Sequence, residues 1–313
     1  MNRRRGPVRS ALACRARAWR GFGPRARLVA LALGTVVAGG CGGSDGAAIR
    51  EATLALDFTP NAAHAGVYAA LRSQLDRRRG VALRVIAPTA TADSLKLLLA
   101  GRADLAIVDL HDLGLARERG SDVVGVGAIV QRPLAAVIAR PGLRRPRELE
   151  NRRVGLAGLP SDEAVLRAVV LHDGGDPARV RRTTVGFGAV LSLVAGRVDA
   201  VVAFWSAEGV ALRRRGVRTR EFRVGDYGAP PYPELVLVTT RRTLRERPRL
   251  VDAVVGTLAA GTDAALRDRA AAVAAVARVS GADERLVAAQ LDVVAPALTP
   301  PLRLDRGALE RWA

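Results

Sequence analysis

Cysteine, lysine and aromatic residues are scarce in this sequence, and the first two shortages exclude or narrow classes of function. The two cysteines, Cys14 and Cys41, both lie near the N-terminus. The body beyond them has no thiol nucleophile, disulfide framework, Cys-based zinc site or iron–sulfur cluster. Lys96 is the only lysine, so lysine chemistry has one candidate. No GxSxG elbow, HExxH helix or Walker A run occurs. His64, His111 and His172 are too widely spaced along the chain to indicate a metal cluster. No cofactor is expected, and no enzyme activity.

What is present is enough for a large core. The 313 residues are 49% hydrophobic, roughly two domains' worth of foldable chain. The formal net charge of +19 suggests a nucleic-acid binder until it is located. Nine arginines fall within residues 1–40, which hold no acid. The remaining charges are mixed in sign, as on an ordinary surface, so no nucleic acid is expected as a partner.

The arginine-rich start leads into the short apolar run Leu28–Ala38, followed by Gly39, Gly40 and Cys41. That is the layout of a secretory signal, here residues 1–40. Small residues directly before a lone cysteine resemble a bacterial lipobox, which makes Cys41 the expected lipid-attachment site. Residues 41–51 then form a tether, with the flexible composition Gly42-Gly43-Ser44-Asp45-Gly46 at its start. The expected location is exported, at the cell surface or in the periplasm, held to the membrane through that anchor. No later apolar run is long enough for a bilayer span.

Beyond residue 51 the chain alternates strands and helices, which predicts an α/β fold with mostly parallel sheets. Strands are expected at Ala52–Phe58, Val81–Ile86, Ala103–Val108, Val123–Val130, Arg153–Leu156, Arg182–Val185, Ala200–Phe204 and Leu235–Thr239. One helix is expected over about Ala63–Arg78 and others over Asp93–Ala100, Leu110–Arg119, Pro160–Leu171 and Glu208–Arg215. Gly101-Arg102-Ala103-Asp104 and Gly196-Arg197-Val198-Asp199 repeat one device, a glycine that ends a helix and an aspartate before a buried strand. The repeat fits two similar lobes, 52–134 with 236–313, and 135–235. Gln131–Leu134 and the proline-rich Asp226–Glu234 look like paired hinge crossings between them.

Polar and aromatic residues gather where strands end, which is where open α/β sheets bind ligands. Asp57, Phe58, Asn61 and His64 share the first strand-to-helix turn, which could equally be a capped turn. Asp109 directly follows the expected strand Ala103–Val108. Ser161 starts a helix beside Asp162 and Glu163. Its backbone donors could hold an anion, but the two acids argue against a strongly anionic ligand. Trp205 and Glu208 follow another strand. There a tryptophan would stack on a flat ring and a carboxylate would accept from an amino group, unless Trp205 only plugs the core. Tyr227 and Tyr232 lie in the second hinge connector.

The run LDFTPNAAHAGVYAAL (Leu56–Leu71), with QRPL, GLPSDEA, FWSAEG and DYGAPPYPELVLVTT in order behind it, resembles the NMT1/THI5-like family of ABC-transporter solute-binding proteins. It is most similar to the branch that binds thiamine pyrimidine precursors such as formylaminopyrimidine. The resemblance implies a two-lobed periplasmic-binding-protein fold of type II, with two mixed sheets and a ligand cleft between the lobes. It implies a monomer that hands an aminopyrimidine to an ABC permease and its ATPase. Asp57, Phe58, Asn61 and His64 correspond to the first-lobe side of that family's site, and Trp205, Glu208, Tyr227 and Tyr232 to the second-lobe side. Phe58 stands where the family usually has tryptophan, and Ser206-Ala207 replaces a more polar pair. Two alternatives accompany this expectation: a ligand that is a sulfonate, nitrate or other small nitrogen compound, and a pyrimidine phosphate synthase-like enzyme. The enzyme branch carries a cysteine-rich iron motif that this body lacks.

Overall fold

Ten strands assemble into two five-stranded mixed sheets. The computed structural model describes residues 49–91 and 93–312. The expected signal segment 1–40, the expected lipid attachment at Cys41 and most of the expected 41–51 tether lie outside the described residues. The chain enters the first sheet with β1 (Arg50–Ala55), β2 (Val81–Ile86), β3 (Leu105–Asp109) and β4 (Val123–Val130). It then builds the second with β5 (Ala135–Ala139), β6 (Arg153–Leu156), β7 (Arg181–Thr184), β8 (Ala200–Phe204) and β9 (Arg220–Arg223). Finally β10 (Leu235–Thr240) returns to the first sheet. The strand orders are β2-β1-β3-β10-β4 and β7-β6-β8-β5-β9. Each sheet therefore has four strands running one way and one inserted antiparallel, β10 between β3 and β4 and β5 between β8 and β9.

The repeated turn does the same work in both sheets. Gly101 and Gly196 end their helices in the left-handed region, at φ +68° and +70°. Asp104 N–H then donates to Thr53 O at 2.9 Å, while its carboxylate accepts from Thr53 N–H at 2.8 Å. Asp199 does the same to Arg153, at 2.7 and 2.9 Å. Each aspartate so fixes the register at which one parallel strand meets its neighbour.

Successive residues of β1 point to opposite faces, so Leu54 joins one apolar cluster and Ala55 another. On the Leu54 face lie the helices Ala65–Arg72, Pro248–Arg267, Arg269–Ser280 and Glu284–Val294. The first two cross closely because both are glycine at the contact. A Cβ on Gly261 would fall 2.1 Å from Gly66 O. On the Ala55 face lie Asp93–Leu99 and Leu110–Glu118.

Two helices differ from the sequence expectation. The helix expected over 63–78 breaks at Gln74, whose φ of 53° is left-handed, leaving Ala65–Arg72 and Leu75–Arg78. The helix expected from Glu208 begins earlier, as a π-helical turn over Trp205–Gly209 that runs into Val210–Arg214. Among the described residues no helix is long and apolar enough to cross a membrane.

Candidate ligand-binding site

The parallel strands β1, β3, β6 and β8 all end at the gap between the two sheets. One cavity of about 330 Å³ occupies that gap. Its lining includes Asp57, Phe58, Asn61, Asp109, Ser161 and Glu208, so six of the expected contacts do meet. His64, Trp205, Tyr227 and Tyr232 are not part of the lining, and each has another place.

His64 is fully buried behind the first turn. Its Nδ1 accepts from Asn61 N–H at 3.2 Å, so Nε2 carries the proton and donates to Asp57 Oδ1 at 2.8 Å. Asn61 Oδ1 in turn accepts from Ala63 N–H at 2.9 Å. The turn is thus capped, as its sequence allows, and the cap aims the Asp57 carboxylate into the cavity. Beside it the Phe58 ring meets Phe187 of the opposite lobe edge-on, with centroids 4.7 Å apart.

Trp205 faces away from the cavity while its neighbour Phe204 lines it. The Trp205 backbone N–H donates to Leu134 O at 3.1 Å and its indole N–H to Pro133 O at 3.4 Å. The Arg223 guanidinium covers the ring at 4.1 Å. Trp205 therefore fastens β8 to the first hinge crossing rather than offering a stacking face. Tyr227 packs edge-on against Phe222 and His172. Tyr232 is buried beside His111 and Glu234.

Five carboxyl groups line the cavity: Asp57, Asp109, Asp112, Asp162 and Glu208. Asp112 comes from the first lobe and reaches across. Its two oxygens accept from Ser161 N–H at 3.0 Å and Ser161 Oγ–H at 3.1 Å. Asp162 accepts from Gly158 and Leu159 N–H at 2.8 and 3.0 Å. Around the start of the helix Pro160–His172, the N–H groups of Gly158, Leu159 and Ser161 are therefore taken by carboxylates and that of Asp162 by Leu159 O. A second cross-lobe bond runs from Thr91 Oγ to Ala157 O at 2.9 Å.

Burial is the main cause of a common upward shift. It pushes Glu208 to about 7, with the nearby charges of Asp57 and Asp162 adding to it. It pushes Asp112 to about 7, helped by Asp109. Asp162 rises to about 6 for the same first reason.

Behind the cavity floor the two crossings, Gln131–Leu134 and Val224–Glu234, are clipped together. Glu234 is fully buried and its Oε2 accepts from the N–H groups of Leu134 and, at 2.8 Å, Ala135. Glu234 Oε1 has no hydrogen-bond partner among the described residues. Burial and the adjacent Asp109 charge push the Glu234 carboxyl well above the usual carboxylate range, which favours its neutral form. Asp109, His111 and Glu234 bring ligand atoms within 4.8 Å of one another. They make a poor metal site, because the Trp312 indole N–H donates to His111 Nε2 at 3.1 Å. The proton is thereby left on Nδ1, which points at Asp109 Oδ1 from 3.1 Å.

Residues 61–272 match the family model described as NMT1/THI5 like. The chain belongs to that family. This NMT1/THI5-like chain is 34% identical over 206 residues to the formylaminopyrimidine-binding protein of Halalkalibacterium halodurans, across 65% of this chain and 62% of that protein. It is 26% identical over 201 residues to a putative thiamine biosynthesis protein of Haemophilus influenzae, across 63% and 64% of the two chains. The match thus spans less than two thirds of either relative's length. Among solved structures, the alkanesulfonate-binding protein SsuA from Xanthomonas axonopodis pv. citri, bound to MOPS, superposes with a TM-score of 0.68 at 22% identity. That alignment covers 82% of this chain and 88% of SsuA. It shows the shared fold, that of the periplasmic binding proteins.

Proposed function

We propose that this chain is the solute-binding component of an ABC importer and that it captures an aminopyrimidine of the thiamine-precursor type. The observation that carries the reading is the meeting of Asp57 and Glu208, from opposite lobes, in one cavity beside the Phe58 ring. An aminopyrimidine presents an amino donor next to a ring-nitrogen acceptor. Glu208, titrating near 7, can offer a carboxyl O–H and a C=O side by side to that edge. Asp57, aimed by His64, accepts a further amino proton. Phe58 supplies the apolar face for the ring.

The same geometry disfavours a sulfonate or nitrate. An anion would need the backbone donors at the start of Pro160–His172, and Asp162 and Asp112 already hold them. The charges of Asp57 and Asp109 on the lining would repel it. The relative that binds formylaminopyrimidine supports the pyrimidine ligand, and the fold supports binding by lobe closure, which buries the ligand and presents the closed form to a permease. Export through residues 1–40 and lipid attachment at Cys41 belong to the same reading.

Calorimetry on residues 47–313 tests it. Formylaminopyrimidine and hydroxymethylpyrimidine are expected to bind, with the affinity lost in Glu208→Ala and Asp57→Ala. Binding of taurine or nitrate with no response to either pyrimidine would overturn the ligand. Expression of the full chain with Cys41→Ala, followed by membrane fractionation, tests the anchor. A protein that stays in the membrane fraction after that change is not anchored there.

A further inference from the structure

The cavity is longer than the polar pocket just described. It continues between the helices Asp93–Leu99 and Leu110–Glu118, where Leu95, Leu99, Leu115 and Ala116 line it, and it reaches Lys96 and Arg119. Both helices begin at the cleft and run away from it. Asp112, Leu115, Ala116 and Arg119 follow one another at the spacing of a single helical face. That stripe passes from an acid at the cleft, through two apolar residues, to a base at the outer end. Seven residues at 1.5 Å each give it a length of about 10 Å. Leu95 and Leu99, four residues apart, form the opposing wall. Leu99 is 48% exposed, so the arm opens at the protein surface. Arg119 stands at its outer end and Lys96 midway along the opposing helix, both cationic, whereas the cleft end is lined by carboxyls.

From this polarity gradient we propose that the ligand is an aminopyrimidine carrying an extended apolar substituent that ends in an anionic group. The inference rests on the aminopyrimidine reading of the cleft. The ring occupies the carboxyl-lined end, the substituent lies between Leu95, Leu99, Leu115 and Ala116, and the anion sits beside Lys96 and Arg119. A ring bearing only a one-carbon substituent would leave the apolar arm unfilled. Each methylene moved from water into such an arm raises affinity by a factor of about four. Ordering the chain removes part of that gain.

The test is calorimetry with one aminomethyl-aminopyrimidine acylated with formyl, butyryl or succinyl groups. Butyryl is expected to bind about tenfold more tightly than formyl, after the ordering loss is taken from three methylenes. Succinyl is expected to bind more tightly still at low salt, and that last gain should vanish in the double variant Lys96→Ala, Arg119→Ala. Leu99→Trp, a change at an exposed position, should remove the chain-length gain. If formyl binds and both longer acyl groups bind more weakly, the arm is not ligand space and this inference falls, while the aminopyrimidine reading stands. If no member of the series binds, both fall together.

Discussion

Glu234 offers a test of how the hinge is held. Replacing it with alanine strips the acceptor from two buried donors, the N–H groups of Leu134 and Ala135. Each orphaned buried donor costs about 1–3 kcal/mol, and the pair about 2–6 kcal/mol. Water entering the space left behind would recover part of this, so about 3 kcal/mol is expected. For a chain of this size, 1 kcal/mol corresponds to about 2–4 °C, which places the fall in melting temperature at about 6–12 °C. Glutamine should behave differently. Its carbonyl can accept the same two N–H groups, and it carries no charge to bury. Glu234→Gln should therefore stay within about 1 kcal/mol of the unmodified protein. Thermal and urea unfolding of residues 47–313, read by circular dichroism, measure both. Equal losses for the two variants would refute the claim that Glu234 works as a neutral group.

Glu208, Asp112 and Asp162 carry raised folded-state pKa values of about 7, 7 and 6. Between their ordinary values near 4 and these values the folded protein binds more protons than the unfolded chain. Their stabilisation is full below about pH 4 and is lost as pH rises to 7, so the ligand-free protein should melt lower at pH 8 than at pH 5.5. Glu208→Gln should flatten that dependence, and an unchanged slope would remove Glu208 from it. Trp205→Ala should weaken every ligand by a similar factor, because the ring fastens the hinge crossing. A selective loss of pyrimidine binding, measured by calorimetry across the panel, would put Trp205 back in contact with ligand.

Much of the fold was legible because local pattern and tertiary need agree. The limits of β2, β4, β6 and β8 coincide with those read from apolar runs. The paired Gly–Asp turns announced two lobes because one physical demand, register between parallel strands, recurs in each. The site was legible only in part. Phe204 and Trp205 are adjacent, and neighbours at a strand end point opposite ways, so only one can face the cavity. Sequence alone did not say which. His64 looked like a ligand contact because its spacing from Asp57 is what a positioning residue also needs. Glu234 drew no attention because its partners lie about 100 positions away. The arm between the two helices is spelled out by Asp112, Leu115, Ala116 and Arg119. That spacing fits an ordinary amphipathic face equally well, and only the gap between the helices gives it meaning.

The place of β10 between β3 and β4 has a consequence for the order of assembly. β4 has no partner in its sheet except β10. The second sheet needs only residues 135–223, an unbroken stretch. As the chain is delivered from its N-terminus, the second lobe can finish while the first still waits for its last strand. Glu234, Leu235 and the rest of β10 then arrive together. One short segment thus joins β3 to β4, clips the two crossings and lays the floor of the cavity. Binding competence is gained late, so a chain cut short before residue 240 would hold one folded lobe and no receptor.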